Sequence, residues 1–298
     1  MKAIELANIT KSYDGRTDVL SEISFEINEG EVFGFLGPNG AGKTTAVRIL
    51  NGLLEPNSGN VRVYGNDVSK NTIEIHKICG VMTETANFYE KLTGSENLMF
   101  FGRLHGFSTT ECSERIKHVM NLFDIYDAKD KKVGEYSTGM KKKIALCRAF
   151  LHNPKILFLD EPTSGLDPDA ARNVNRLIST AAAEERLTVF LCTHQLKYAE
   201  EICTLYGFID NGKMLGFGTF NELLGNKNCL VTLEIRGKNI DIELGFENKS
   251  AGKYNKVVAS DIDAAALIKQ VINSGGEIYE ARLNKWNLED LYFAYQHE

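Results

Sequence analysis

Gly37-Pro38-Asn39-Gly40-Ala41-Gly42-Lys43-Thr44 fits the pattern G-x-x-x-x-G-K-[ST], a composition suited to holding phosphate and to little else. Before it, Val32-Phe33-Gly34-Phe35-Leu36 has the length and continuous apolar character of a buried strand. After it, the apolar spacing predicts a helix over Thr45 to Leu54. Strand, glycine-rich turn and helix together turn the pattern into a site. The glycines allow backbone torsions in which successive N–H groups point inward. The helix adds its positive end, and Lys43 adds a full charge aimed at terminal phosphates. Thr44 is placed to ligate magnesium. A turn that merely linked strand to helix would need neither the lysine nor the threonine.

The chain has 298 residues, enough for one large or two moderate domains with ample core. A formal charge of -6 and a pI near 5.7 argue against a nucleic-acid binder that relies on a basic surface. Six cysteines are scattered singly, with no C-x-x-C pair, so neither a disulfide framework nor a zinc site is expected. Met1 to Leu6 lacks the apolar core of a signal peptide. No run reaches the roughly 20 apolar residues that span a bilayer. A soluble cytoplasmic chain is expected.

The first residues predict antiparallel strands, Ala3 to Ile9 and Leu20 to Ile27, and short strands follow at Val61 to Tyr64 and Ile78 to Met82. From about 94 to 150 the pattern turns helical: Leu98, Phe101 and Leu104, then Ile116, Val119, Met120 and Phe123, recur every three or four positions. Continuously apolar strands of the parallel kind resume at Ile156 to Leu159, Leu187 to Cys192 and Tyr206 to Ile209. Near 218 this pattern ends. Residues 1–218 thus form one domain, and 219–298 a small α+β unit. That unit is expected to hold strands at Leu230 to Ile235, Asn255 to Ala259 and Ile278 to Leu283. Its helices are expected at Ala264 to Ile272, closed by Gly275-Gly276, and at Leu288 to Tyr295.

Ile156-Leu157-Phe158-Leu159-Asp160-Glu161-Pro162 puts Asp160 at the C-terminal end of a buried strand, the edge where open α/β sheets gather ligands. Asp160 can support the magnesium held by Thr44, and Glu161 can orient and deprotonate an attacking water.

At this point the chain resembles the ATP-binding cassette (ABC) ATPases. Tyr136-Ser137-Thr138-Gly139-Met140 looks like their signature segment, usually L-S-G-G-Q. Ser164-Gly165-Leu166-Asp167 looks like their D-loop, and Thr193-His194 like their switch histidine. Tyr13 lies where the family stacks an aromatic ring on adenine. The likeness covers roughly residues 1 to 218. It implies a P-loop NTPase fold with a RecA-like core, an antiparallel β subdomain and a helical subdomain at about 94–150. ATP would be held by Tyr13 and the run Gly37 to Thr45, with Lys43, Glu161 and His194 catalytic and Thr44, Glu84 and Asp160 around Mg2+. Two such domains, a homodimer or a heterodimer, would pack head to tail, so that Ser137, Thr138, Gly139 and Met140 of one reach the ATP of the other and Asp167 lies at their junction.

Two departures stand out. Glu84 occupies the Q-loop position where the family usually has glutamine; it offers magnesium a charged oxygen but repels the γ-phosphate. Thr138 replaces the first signature glycine and would be strained if that position needs positive φ. Lys141, Lys142 and Lys143 read as the solvated face of the signature helix. The segments after 218, Gly218-Thr219-Phe220-Asn221-Glu222-Leu223-Leu224 and Asn287-Leu288-Glu289-Asp290-Leu291-Tyr292, look like the C-terminal extension of type-2 exporters. The resemblance therefore implies the ATPase of a drug, antibiotic or peptide exporter at the inner face of the membrane. Its permease would be a separate chain, docked near Phe88, Tyr89 and Leu98 to Phe101. An importer ATPase and a non-transport regulatory ATPase are the alternatives. A GTPase would need an N-K-x-D motif, which Asn226-Lys227-Asn228-Cys229 does not supply.

Overall fold

Alternation along Asp18–Asn28 buries Leu20, Ile23, Phe25 and Ile27 and leaves the residues between them outward, the period-two pattern of a strand with one covered face. A computed structural model of the chain describes residues 1–85, 87–225, 231–250, 252–258 and 260–297. In it this strand pairs antiparallel with Lys2–Ser12, which pairs with Ser58–Val63, and the two-residue strand Asn66–Asp67 closes the edge.

The second sheet runs, edge to edge, Lys213–Gly218, Leu205–Asp210, Val32–Leu36, Thr188–Thr193, Ile156–Asp160 and Cys79–Met82. All its pairings are parallel except that of the first two strands. Val32–Leu36, Ile156–Asp160 and Thr188–Thr193 are buried at every position, because both faces of a parallel sheet are covered. Aromatic rings join the two sheets: Phe25 lies 5.2 Å from Phe33, which lies 5.1 Å from Phe190.

The expected helical region consists of Gly94–Leu104, Thr109–Leu122 and Thr138–Phe150. The first two open on capping boxes, Thr93 with Glu96 and Ser108 with Glu111, each cap worth about 1 kcal/mol. The helix after the glycine loop spans Lys43–Leu50, earlier at both ends than the spacing predicts. Gly42 starts it from a left-handed φ of 105°, and beyond Asn51 the backbone turns left-handed at Gly52. A helix at Pro168–Glu184 follows Glu161 and packs against Thr138–Phe150 and Leu196–Ile202.

The described chain divides into two units, one of Met1–Phe220 with the chain from Tyr295 on, the other of Asn221–Ala294. The second unit is a four-stranded antiparallel sheet, in order Glu247–Ser250, Lys253–Val258, Val231–Lys238 and Glu277–Asn284. Helix Asp261–Asn273 contributes Ala264 and Val271 to its core with Leu233, Ile235 and Val258. The expected strand ends at Leu230 and Ala259, and Asn226 to Cys229, lie outside the described residues. No helix among the described residues is long and apolar enough to cross a membrane.

Candidate functional site

Strand register brings the chemistry together. Leu36 pairs with Thr193, and Asp160 with Cys192. The glycine loop, Asp160-Glu161 and His194 therefore leave one sheet edge from three adjacent strands. The loop hugs the scaffold: a Cβ on Gly42 would meet Val19 O and Leu20 Cδ2 at 2.6 Å, so no other residue fits that turn.

Lys43 is 6% exposed. Its Nζ donates to the carbonyls of Gly37 at 2.7 Å and Pro38 at 3.0 Å and lies 4.0 Å from Glu161 Oε1. Thr44 Oγ1 donates to Asp160 Oδ2 at 2.9 Å. Burial raises the Asp160 carboxyl above its ordinary value, offset in part by the Thr44 hydrogen bond and by Lys43.

Glu161 is 5% exposed and holds a left-handed φ of 49°. Its N–H donates to Cys192 O at 2.9 Å. Its carboxylate accepts from Thr193 Oγ1 at 2.9 Å, from His194 N at 2.9 Å and from His194 Nδ1 at 2.7 Å. An ionised carboxylate only accepts, so Nδ1 carries the proton in this pair. Three of the roughly four acceptor sites of the carboxylate are taken, leaving room for one further donor such as a water. Asn39, Gly40, Lys43, Thr44, Glu84, Asp160 and Glu161 line one cavity of ≈ 310 Å³, basic and backbone-rich on one wall and acidic on the other.

Residues 20–164 match the family model described as ABC transporter. The chain is 30% identical over 296 residues to the bacitracin transport ATP-binding protein BcrA of Bacillus licheniformis, covering 97% of this chain and 95% of that one. The chain belongs to the ABC transporter ATP-binding proteins. The cassette is also 33% identical to the daunorubicin/doxorubicin resistance ATP-binding protein DrrA of Streptomyces peucetius, over 91% of this chain and 81% of that one. It superposes on the ADP conformation of the ATP-binding cassette MJ1267 with a TM-score of 0.67, at 25% identity, over 76% of this chain and 94% of that one. Like its family, the cassette is an ATPase.

The donor set of this ATPase fits magnesium. One hydroxyl and two carboxylates, Thr44, Asp160 and Glu84, border the cavity, and hard oxygen donors are what that ion takes. Among the described residues no group of three or more His, Cys, Asp or Glu side chains could hold a metal ion. Nucleotide phosphates and water would complete the shell.

Other expected residues lie elsewhere on the cassette. Tyr13 is 58% exposed, with its hydroxyl 3.3 Å from Thr45 Oγ1 and the Lys11 ammonium 5.8 Å from its ring centroid. Ser137 and Thr138 are exposed and Gly139 and Met140 partly so; none of the four lines the phosphate cavity. Ser137 caps its helix, Oγ accepting from Met140 N at 3.3 Å. Asp167 also caps a helix, accepting from the N–H groups of Asp169 and Ala170.

Two expectations are corrected. Thr138 is the first residue of the signature helix and has no positive φ, so the departure from glycine introduces no backbone strain. A Cβ on Gly139 would approach nothing closer than 4.0 Å. The lysine run is not uniformly solvated. Lys141 pairs with Glu90 at the surface, and Lys143 pairs with Asp124 from a largely covered side chain, but Lys142 is 8% exposed. Burial lowers its pKa, opposed by the charges of Glu84, Glu161 and Asp160. Sequence reasoning overlooked it, although helical spacing sets it on one face with the buried Ala145, Leu146 and Ala149. Thr193, which fixes Glu161, was seen only as the neighbour of the histidine.

Proposed function

We propose that the cassette hydrolyses MgATP with Glu161 as general base and drives a permease on another chain that exports drug-, antibiotic- or peptide-like compounds. The glycine-loop N–H groups and Lys43 bind and orient the phosphates, while Tyr13 stacks on the adenine. Thr44, Asp160 and Glu84 hold Mg2+, which when bound neutralises phosphate charge. Glu161 takes the proton of the attacking water through its remaining acceptor site. His194, giving Nδ1–H to Glu161, has Nε2 left for the terminal phosphate and donates there only as the imidazolium.

One chain carries a P-loop and a signature, so two copies related by a twofold axis would complete two sites. In that dimer Ser137 and the N-terminal N–H groups of its helix reach the partner's γ-phosphate, and Asp167 lies at the junction. A related subunit could take the second place. Residues 1–218 would perform this chemistry and 219–298 would serve as an accessory unit.

The observation that carries the export reading is the reach of the likeness. Relatives named for bacitracin transport and for daunorubicin/doxorubicin resistance match over 97% and 91% of the chain, beyond the nucleotide domain. Tyr89 and Phe100 support a docking surface: they are 50% and 40% exposed and meet edge to face at 5.0 Å. Leu98, expected there as well, is fully buried and belongs to the core. The permease would hold the cassette at the inner face of the membrane; nothing in this reading calls for nucleic acid.

Transport of bacitracin or daunorubicin into inverted vesicles carrying the cassette co-expressed with a candidate permease tests the proposal. ATP-dependent uptake that disappears with Glu161→Gln supports export; uptake unaffected by that variant refutes it. A second expectation concerns the metal. A charged ligand contributes on the order of 1 kcal/mol more than a neutral one. Glu84→Gln should therefore raise the magnesium concentration for half-maximal activity by about fivefold. An identical magnesium titration would remove Glu84 from the metal site.

A further inference from the structure

Lys142 stands in the second turn of the signature helix, yet its ammonium is spent inside the protein. Nζ donates to three acceptors from two segments: Glu84 O at 3.2 Å, and in the turn after the strand Glu161 O at 3.0 Å and Ser164 Oγ at 3.3 Å. An ammonium has three N–H donors, and here each has a partner. A buried cation is tolerated only under such conditions.

The contact with Glu161 matters most, because Glu161 is a non-glycine residue in the left-handed region. Such a backbone costs roughly 1 kcal/mol or more and persists only where its surroundings over-determine it. The structure shows what does so. On one side the Glu161 N–H is tied to Cys192 O; on the other its carbonyl accepts from Lys142 Nζ at 3.0 Å and, within its own turn, from Ser164 N at 3.2 Å. Between those anchors the carboxylate is aimed at Thr193 and His194. The same ammonium fixes the main chain at Glu84, across the cavity from the glycine loop, and the turn at Ser164.

We propose that Lys142 is a positioning residue of the ATPase: by tying the backbones of Glu161 and Glu84 and the Ser164 hydroxyl to the signature helix, it sets where the base points. This rests on Glu161 being the general base. Without the ammonium the Glu161 carbonyl keeps only the Ser164 N–H of its own turn, the tie from that turn to the signature helix is lost, and the carboxylate drifts from the line of attack. Lys142 touches no glycine-loop residue among its hydrogen-bond partners, so nucleotide binding should survive its loss.

The test uses the full chain with three variants and Glu161→Gln in parallel. Lys142→Met keeps the stem and removes the donors; kcat should fall about 10- to 100-fold, the scale of a misplaced catalytic group. Affinity for a non-hydrolysable ATP analogue should stay within about twofold, the signature of an interaction realised in the transition state. Lys142→Arg, which keeps charge and donors, should recover most of the loss, and Lys141→Met should keep the original kcat. A Lys142→Met enzyme with unchanged kcat overturns the proposal, as does one that loses analogue affinity in proportion to kcat, or an arginine variant no better than methionine. If Lys142→Met lowers the melting midpoint, Lys142→Gln gives the same reading, and an unchanged kcat there is equally fatal. Hydrolysis persisting in Glu161→Gln would instead refute the base assignment, whatever Lys142 does.

Discussion

Glu161→Gln is expected to leave MgATP binding intact and to lower kcat by about 10²- to 10⁴-fold, the range of general acid–base catalysis. Glutamine has the shape of glutamate and keeps one carbonyl oxygen. That oxygen can still accept from His194, and the Thr193 hydroxyl can rotate to accept from the new amide. The turn at 161 is therefore preserved, including the backbone bonds to Cys192 and Lys142. What disappears is the basic oxygen that takes a proton from water. Single-turnover hydrolysis together with equilibrium binding separates the two effects. Hydrolysis near the original rate would mean that another group is the base; lost binding would mean that Glu161 shapes the phosphate cavity instead.

Lys43→Ala should act on the other term. The ammonium is nearly buried and already held by the carbonyls of Gly37 and Pro38, on the wall where phosphate oxygens would lie. A charge-assisted hydrogen bond contributes about 1.5–3 kcal/mol, so ATP affinity should drop by about 10- to 100-fold. The variant also takes a donor from the Gly37 carbonyl and one of two from the Pro38 carbonyl, which keeps the Ala41 N–H, and removes the lysine 4.0 Å from Glu161. A melting curve must accompany the binding measurement to show that the loop still folds. Unchanged affinity in a folded variant would contradict the assignment of Lys43 to the phosphates.

The parts of this site that were legible from sequence are those whose chemistry is local. The glycine loop declares itself because its torsions, its lysine and its threonine are contiguous, and Asp160 because a carboxylate ending an apolar strand sits at a sheet edge. Other features depend on register and packing. Nothing near Thr193 announces that its hydroxyl holds Glu161, since the two strands meet only in the fold. Thr138 looked strained because the family has glycine there; the helix begins at that residue, and ordinary φ suffices. Lys142 sat inside three identical residues, and composition made the run look solvated. Only the spacing to Ala145, Leu146 and Ala149 distinguished it, a pattern that is weak over two turns. Asp167 shows the reverse: a motif position of the family does ordinary capping work within its own chain, and the proposed junction role would need a partner.

The claim on which the account turns is that the ATP site is shared between two copies, the P-loop of one facing the signature of the other. Sedimentation velocity of Glu161→Gln with and without saturating MgATP tests it directly, because that variant binds nucleotide without consuming it. Single chains are expected without nucleotide, and pairs of chains carrying one ATP each when MgATP is present. A variant that binds one ATP per chain and still sediments as a single chain would contradict it.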